Sequence, residues 1–218
     1  MWKAVWPIWL GYMPLGFACG VFAQKFGVSA WESGLMSLLV FAGSGQFIAL
    51  SMIGGGAPVA SIVLTTFVVN LRHTLYSSSL APHLICRSKK YLGTFAQGIT
   101  DETFAVNLSA FAAGRWDTDK ALALNILAHA CWIGSNIVGN LAGNLLVVDT
   151  AVVGYTLTAM FIGLWSFHFQ QKLLILTGVF SGFLALALSG VLTHKLHIVV
   201  ATVVAATAGC LIEGGERR

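Results

Sequence analysis

Charged residues are scarce in this chain. Asp, Glu, Lys and Arg make up 9% of its 218 residues, against 57% hydrophobic residues and a mean hydropathy of +0.82. Soluble domains carry about 25% charged residues. Such a composition cannot clothe a water-soluble fold, and it predicts an all-α integral membrane protein forming one unit over residues 1–218. Cysteine is thin as well. Cys19, Cys86, Cys131 and Cys210 are scattered and make no CxxC pair, so neither a disulfide framework nor a metal site is expected. No GxxxxGK[ST] phosphate loop occurs, which argues against ATP use by this chain. No cleaved signal peptide is expected, because Pro7, Gly11 and Pro14 break the first apolar stretch, which runs on to Ala23. The net charge of +4 and pI of about 9.0 do not point to nucleic acid. The basic residues lie in short loops and at the ends, where anionic lipid and membrane orientation explain them.

Long apolar stretches are plentiful. A bilayer span needs about 20 mostly apolar residues. Candidate spans cover residues 5–23, 33–53, 57–82, 92–113, 121–147, 151–168, 172–189 and 196–212. The stretch 92–113 is the weakest, since its apolar part after Glu102 is brief, and it reads equally as a re-entrant or broken helix. The expectation is seven to eight transmembrane helices with antiparallel neighbours. With eight crossings, Lys3, Arg115, Lys120, Lys172, Arg217 and Arg218 share one side, and Lys25, Arg87, Lys89, Lys90 and Lys195 the other. That division is too even to orient the chain. A candidate internal repeat pairs Gly34 and Phe41-Ala42-Gly43 with Gly154 and Phe161-Ile162-Gly163, and Gly16 and Gly20 with Gly139 and Gly143. Duplicated halves in transporters often set the substrate site at their interface.

Polar residues interrupt the apolar stretches at a few points. Each needs a reason, since a charge at membrane depth costs roughly 2.5–3.5 kcal/mol on insertion scales. Gly43, Ser44 and Gly45 weaken a helix in mid-stretch, and Gln46 adds a polar group beside them. Such a break frees backbone groups for a ligand; close helix packing through small residues is the alternative. Asn70 and Arg72 follow, with His73 beside them and Tyr76 one turn on. The Arg72 guanidinium matches a carboxylate, either of a substrate or of a structural partner. Asp101 and Glu102 are the acids nearest membrane depth, and Thr100 before them suits a helix N-cap. One acid neutralising Arg72 leaves the other free to titrate. His129 shares a helix face with Trp132 and Asn136, where it relays protons or simply bonds a neighbouring helix. His194 and His197 at a span end read as interfacial anchors.

These words resemble the AzlC-like branched-chain amino acid export permeases. The resemblance runs through Pro14-Leu15-Gly16-Phe17, Phe41-Ala42-Gly43-Ser44-Gly45-Gln46-Phe47, Asn70-Leu71-Arg72-His73-Thr74-Leu75-Tyr76 and Thr100-Asp101-Glu102-Thr103-Phe104-Ala105. The C-terminal third matches mainly in hydropathy. The resemblance implies a multi-pass permease of the inner (plasma) membrane that exports valine, leucine, isoleucine and their analogues. It also implies a small AzlD-like membrane subunit as partner, with no cofactor. Without a phosphate loop, the expected mechanism is secondary transport, driven by protons. Gly43, Ser44, Gly45, Gln46, Asn70, Arg72 and Tyr76 are then the substrate-binding candidates, and Asp101, Glu102, His73 and His129 the ion-coupling ones. Two rival readings are a passive channel and an intramembrane serine hydrolase with Ser44 as nucleophile and His73 or His129 as base. The hydrolase lacks the GxSG word, since Ala42 stands where the glycine belongs. No enzymatic activity is expected.

Overall fold

The computed structural model describes residues 2–85, 87–146, 172–190 and 196–216. The expected span 151–168, the second copy of the repeat at Gly154 and Phe161-Ile162-Gly163, and Cys86, His194, Lys195, Arg217 and Arg218 lie outside them. Among the described residues all regular structure is helical. The helices are α1 (Trp2–Lys25), α2 (Ala30–Leu39), α3 (Gly43–Gly54), α4 (Val59–Asn70), α5 (Arg72–Leu80), α6 (Lys89–Gln97), α7 (Asp101–Ala112), α8 (Thr118–Gly143), α9 (Lys172–Leu188) and α10 (Leu196–Glu216). A 3₁₀ turn over Ala81–Leu84 continues α5. The chain divides into two compact units, one holding residues 1–56 and 62–150, the other residues 57–61 and 151–218. In the second unit α9 packs on α10, with Thr177 closing on Gly209.

Three described stretches are long and apolar enough to cross a bilayer: Trp2–Lys25, Val59–Leu84 and Thr118–Gly143. The other two expected spans of the first unit are each folded as two short helices rather than one long one. Residues 33–53 fold as α2 and α3 around a break at residues 40–42, and the chain turns back there. Ser29, which caps α2 in a reciprocal capping box with Glu32, follows closely on Phe26. Gly54, the last residue of α3, lies against the Phe26 ring, and Phe47 of α3 meets Phe22 at 5.9 Å. Both ends of this hairpin therefore lie at the Lys25 end of α1. Residues 92–113 do the same from the opposite side. Tyr91 Oη donates to the Thr118 carbonyl at 2.5 Å, Arg87 pairs with Asp119 at 3.1 Å, and Phe111 stacks on His83 at 4.7 Å. The start of α6 and the end of α7 thus meet beside the start of α8. Asp117 caps α8 there, and the bond it accepts from the Lys120 N–H holds its carboxyl below the usual range.

The crossing helices hold these hairpins in place. α1 and α8 lie side by side and parallel, in step from Trp9 with Leu127, through Gly16 with Ser135, to Gln24 with Gly143. A Cβ on Gly20 would collide with the Asn136 carbonyl, and one on Gly139 with the Phe17 carbonyl. Only glycine lets the two backbones approach this closely. The Gly16/Gly20 and Gly139/Gly143 words of the candidate repeat thus face each other across one seam. A different internal relation is visible in the backbone. Ser29 and Ser88 both cap the first helix of a hairpin, 59 positions apart. Each hairpin follows a crossing helix, and the two pairs run in opposite directions.

This topology corrects the even charge division. Lys3, Arg87, Lys89, Lys90, Arg115 and Lys120 all fall on the Lys3 side of the first unit, with Lys25 alone opposite. For this unit taken alone, the positive-inside rule predicts a cytoplasmic Lys3 side. In a cysteine-free background, Trp31→Cys is expected to react with an impermeant thiol reagent in intact cells, and Lys90→Cys only after the cytoplasmic face is opened. The reverse labelling would invert the orientation.

Candidate functional site

The tips of the two hairpins meet between α1, α5 and α8, and the site is best built from their backbone. A break in a membrane helix leaves carbonyls at one new end and N–H groups at the other, and hydrocarbon offers no partner for either. Three of the four half-helix ends are closed by the protein. At the end of α2, Ser37 O accepts from His129 Nε2 at 3.0 Å, and Leu38 O and Leu39 O accept from Gln97 Nε2 at 3.2 and 3.1 Å. At the end of α6, Asn125 Nδ2 donates to Phe95 O at 3.1 Å, and Thr103 Oγ1 donates to Gly98 O at 3.0 Å. The start of α7 has a capping box between Thr100 and Thr103. The start of α3 is different. Its N-cap is Ala42, no side chain caps it among the described residues, and its first regular bond is Gln46 N to Ala42 O. The N–H groups of Gly43, Ser44 and Gly45 are left open at an electropositive helix end.

The charges gather around that end. Arg72, the first residue of α5, donates from Nη2 to Ser44 Oγ at 2.7 Å and pairs through Nη1 with Asp101 Oδ2 at 3.0 Å. Tyr76, one turn on, donates to Asp101 Oδ1 at 2.5 Å and stacks on Phe104 at 4.5 Å. Asp101 is therefore held from both sides. The ion pair is partly exposed, with side chains 33% and 38% accessible. Asn70 lies against Gly45, and both Asn70 Oδ1 and Arg72 Nε are buried without a hydrogen-bond partner among the described residues. Buried polar atoms of this kind ordinarily find one. Glu102 turns away from Arg72 toward α1, where Tyr12 Oη donates to its Oε2 at 2.7 Å. His73 stacks loosely on Tyr76, with ring centroids 6.0 Å apart.

Gln46 and His129 join a second, structural group. Gln46 is 1% exposed; it donates to Ser37 Oγ at 2.9 Å and accepts from Trp132 Nε1 at 2.6 Å. His129 stacks on Phe41 in the break at 4.3 Å while capping Ser37. Together they tie both arms of the first hairpin to α8. Among the described residues neither His73 nor His129 bonds Ser44, whose hydroxyl is occupied by Arg72. The sequence reading missed Tyr12, Gln97 and Asn125. Gln97 directly precedes a glycine in a stretch already suspected of turning back, and that was the available signal. Tyr12 lies in an aromatic-rich helix and gave none.

The family described as AzlC protein matches residues 7–146. A protein named inner membrane protein YgaZ, from Escherichia coli, is 30% identical over 213 residues, covering 94% of this chain and 84% of that one. An uncharacterized membrane protein of Archaeoglobus fulgidus is 32% identical over 214 residues, covering 96% and 91%. A protein named branched-chain amino acid transport protein AzlC, from Bacillus subtilis, is 30% identical over 157 residues, covering 72% and 61%. No solved structure matches the chain.

Proposed function

Since the chain belongs to the AzlC family and is a multi-pass membrane transport protein, we propose that it exports branched-chain amino acids as a proton-coupled secondary permease, together with a small AzlD-like membrane subunit. The observation that carries this reading is the uncapped start of α3. Open N–H groups at Gly43, Ser44 and Gly45, with Arg72 beside them, suit a carboxylate. Asn70 Oδ1, unpaired and close by, suits the ammonium group of the same zwitterion. An amino acid bound there would lie between hairpins that enter from opposite sides, an arrangement that suits alternating access. In support of the substrate class, the Bacillus subtilis relative carries a branched-chain amino acid transport name. The partner rests on the family resemblance. The span Val59–Leu84 also leaves Val63, Phe67, Leu71 and Leu75 uncovered, available to lipid or another helix.

The test is transport of labelled valine, leucine and isoleucine by reconstituted liposomes, with and without the co-purified small membrane protein. Saturable accumulation against a gradient, collapsed by a protonophore, is expected when both chains are present. Equilibration without accumulation would make the protein a channel. Full activity of the single chain would remove the partner.

A further inference from the structure

The two acids of α7, adjacent in sequence, have different surroundings. Asp101 is bound by a cation and a tyrosine on α5. Glu102 pairs with no cation among the described residues. Its hydrogen-bond partner is the Tyr12 hydroxyl, which also shares a 2.6 Å bond with Thr100 Oγ1. Tyr12 is 4% exposed, whereas Glu102 is open on one side. One turn further along α7 a cleft begins, which Glu102 and Tyr12 do not themselves line. This cleft of about 510 Å³ between α1 and α7 is lined by Lys3, Ala4, Ala105, Val106, Ser109 and Arg115, among others. Ala105, Val106 and Ser109 follow Glu102 at the three-, four- and seven-residue spacing of one helix face, and Ala4 precedes Tyr12 by two turns on α1. The cleft therefore runs along the faces that carry Glu102 and Tyr12, toward the Lys3 side.

We infer that Glu102 carries the coupling proton, with Tyr12 as its hydrogen-bonding partner and the α1–α7 cleft as its path to the Lys3 side. This rests on the proton-coupled reading above. As a carboxylate, Glu102 accepts the Tyr12 proton in a hydrogen bond. On taking a proton from water in the cleft it becomes a neutral acid, and the Tyr12 oxygen can then accept from it. The same proton returns to water on the other side, so none is made or lost. The titratable groups around this acid are Tyr12 on α1, Asp101 beside it, and His73 and Tyr76 on α5, with Arg72 held by Asp101. Arg72 is already neutralised by Asp101, so the charge of Glu102 can change without breaking an ion pair. The Arg72–Asp101 pair stays intact and belongs to the substrate site.

The experiment separates exchange from coupling in inverted membrane vesicles of expressing cells. Exchange of labelled leucine is measured without a pH gradient, and leucine-driven proton movement with a pH-sensitive dye. Glu102→Gln is expected to keep at least half of the exchange and to lose proton movement more than tenfold. Asp101→Asn is expected to lose both. Glu102→Gln that moves protons normally, or that loses exchange as well, overturns the assignment. If Glu102→Gln does not accumulate in the membrane, Tyr12→Phe replaces it. Proton movement slowed at unchanged exchange supports the pair, and equal effects overturn it. In a background lacking the native cysteines, a bulky impermeant thiol reagent on Ser109→Cys should slow proton movement more than exchange; equal slowing overturns the cleft as the path. Wild-type protein that exchanges leucine but moves no protons defeats the coupling reading itself, and wild-type protein without exchange defeats the transport reading.

Discussion

Arg72→Ala is expected to abolish transport and to destabilise the protein in one step. The guanidinium joins three elements, since it bonds Ser44 on α3 and Asp101 on α7 while standing at the start of α5. Among the described residues, removing it leaves the Asp101 carboxylate with the Tyr76 hydroxyl alone. Breaking a fully buried pair costs about 3–5 kcal/mol. This pair is about a third exposed, and solvent screening lowers the figure to about 2–3 kcal/mol. The measurement is a double-mutant cycle on thermal stability in detergent. Arg72→Ala with Asp101→Ala should recover part of the loss without recovering transport. The coupling energy should exceed about 1.5 kcal/mol, within the range measured for close charge pairs. The cycle of Arg72 with Glu102 should be nearly additive, because Glu102 bonds Tyr12 instead. Additivity for Asp101 would show that the pair contributes nothing to the fold.

Gly45→Leu should abolish transport, by at least a hundredfold, while the protein still inserts. A Cβ on Gly45 would lie 3.0 Å from both Nδ2 and Oδ1 of Asn70, which is tighter than nearly all real contacts. The remaining leucine atoms have to enter the space in front of the open α3 N–H groups. Asn70 can swing aside, so the fold should survive; the space for a solute should not. Ser44→Ala is the milder companion. It removes one bond to Arg72 and adds no bulk, so it should weaken apparent affinity by about tenfold, the worth of a charge-assisted hydrogen bond. Measured leucine transport by Gly45→Leu at the wild-type rate would separate the glycine from the substrate.

Much of this site was legible from residue chemistry alone. Arg72 had to find an acid, only Asp101 and Glu102 lay near enough in depth, and the structure joins it to Asp101. The weak helix around Gly43 was legible too, though the break lies at residues 40–42 and the glycines form the first turn of α3. Re-entry at 33–53 was not legible. A broken crossing helix and a hairpin have the same composition, and what separates them is the partner of each freed carbonyl. Those partners are Gln97, which lies 58 and 59 residues from the two carbonyls it caps, and His129, which lies 92 residues from its own. The charge division was even for the same reason, because counting 33–53 as a crossing put Arg87, Lys89 and Lys90 opposite Lys3. Gln46 and His129 were expected at the site because a polar residue at membrane depth needs a partner, and each has at least one within the protein.

The glycine seam between α1 and α8 joins the first and last helices of the unit, in contacts spanning about 120 residues of chain. During synthesis α1 enters the bilayer with Tyr12 and Gln24 on a face whose partner has not yet been made. Both hairpin tips wait as well, because His129 and Asn125 emerge later than the carbonyls they cap. Local helices form early, but the contacts that close the unit are of high contact order and come late. Assembly of this unit is therefore completed only after α8 has left the ribosome. A chain stopped before residue 125 would have its acids and its arginine in the membrane but no scaffold to bring the two hairpins together.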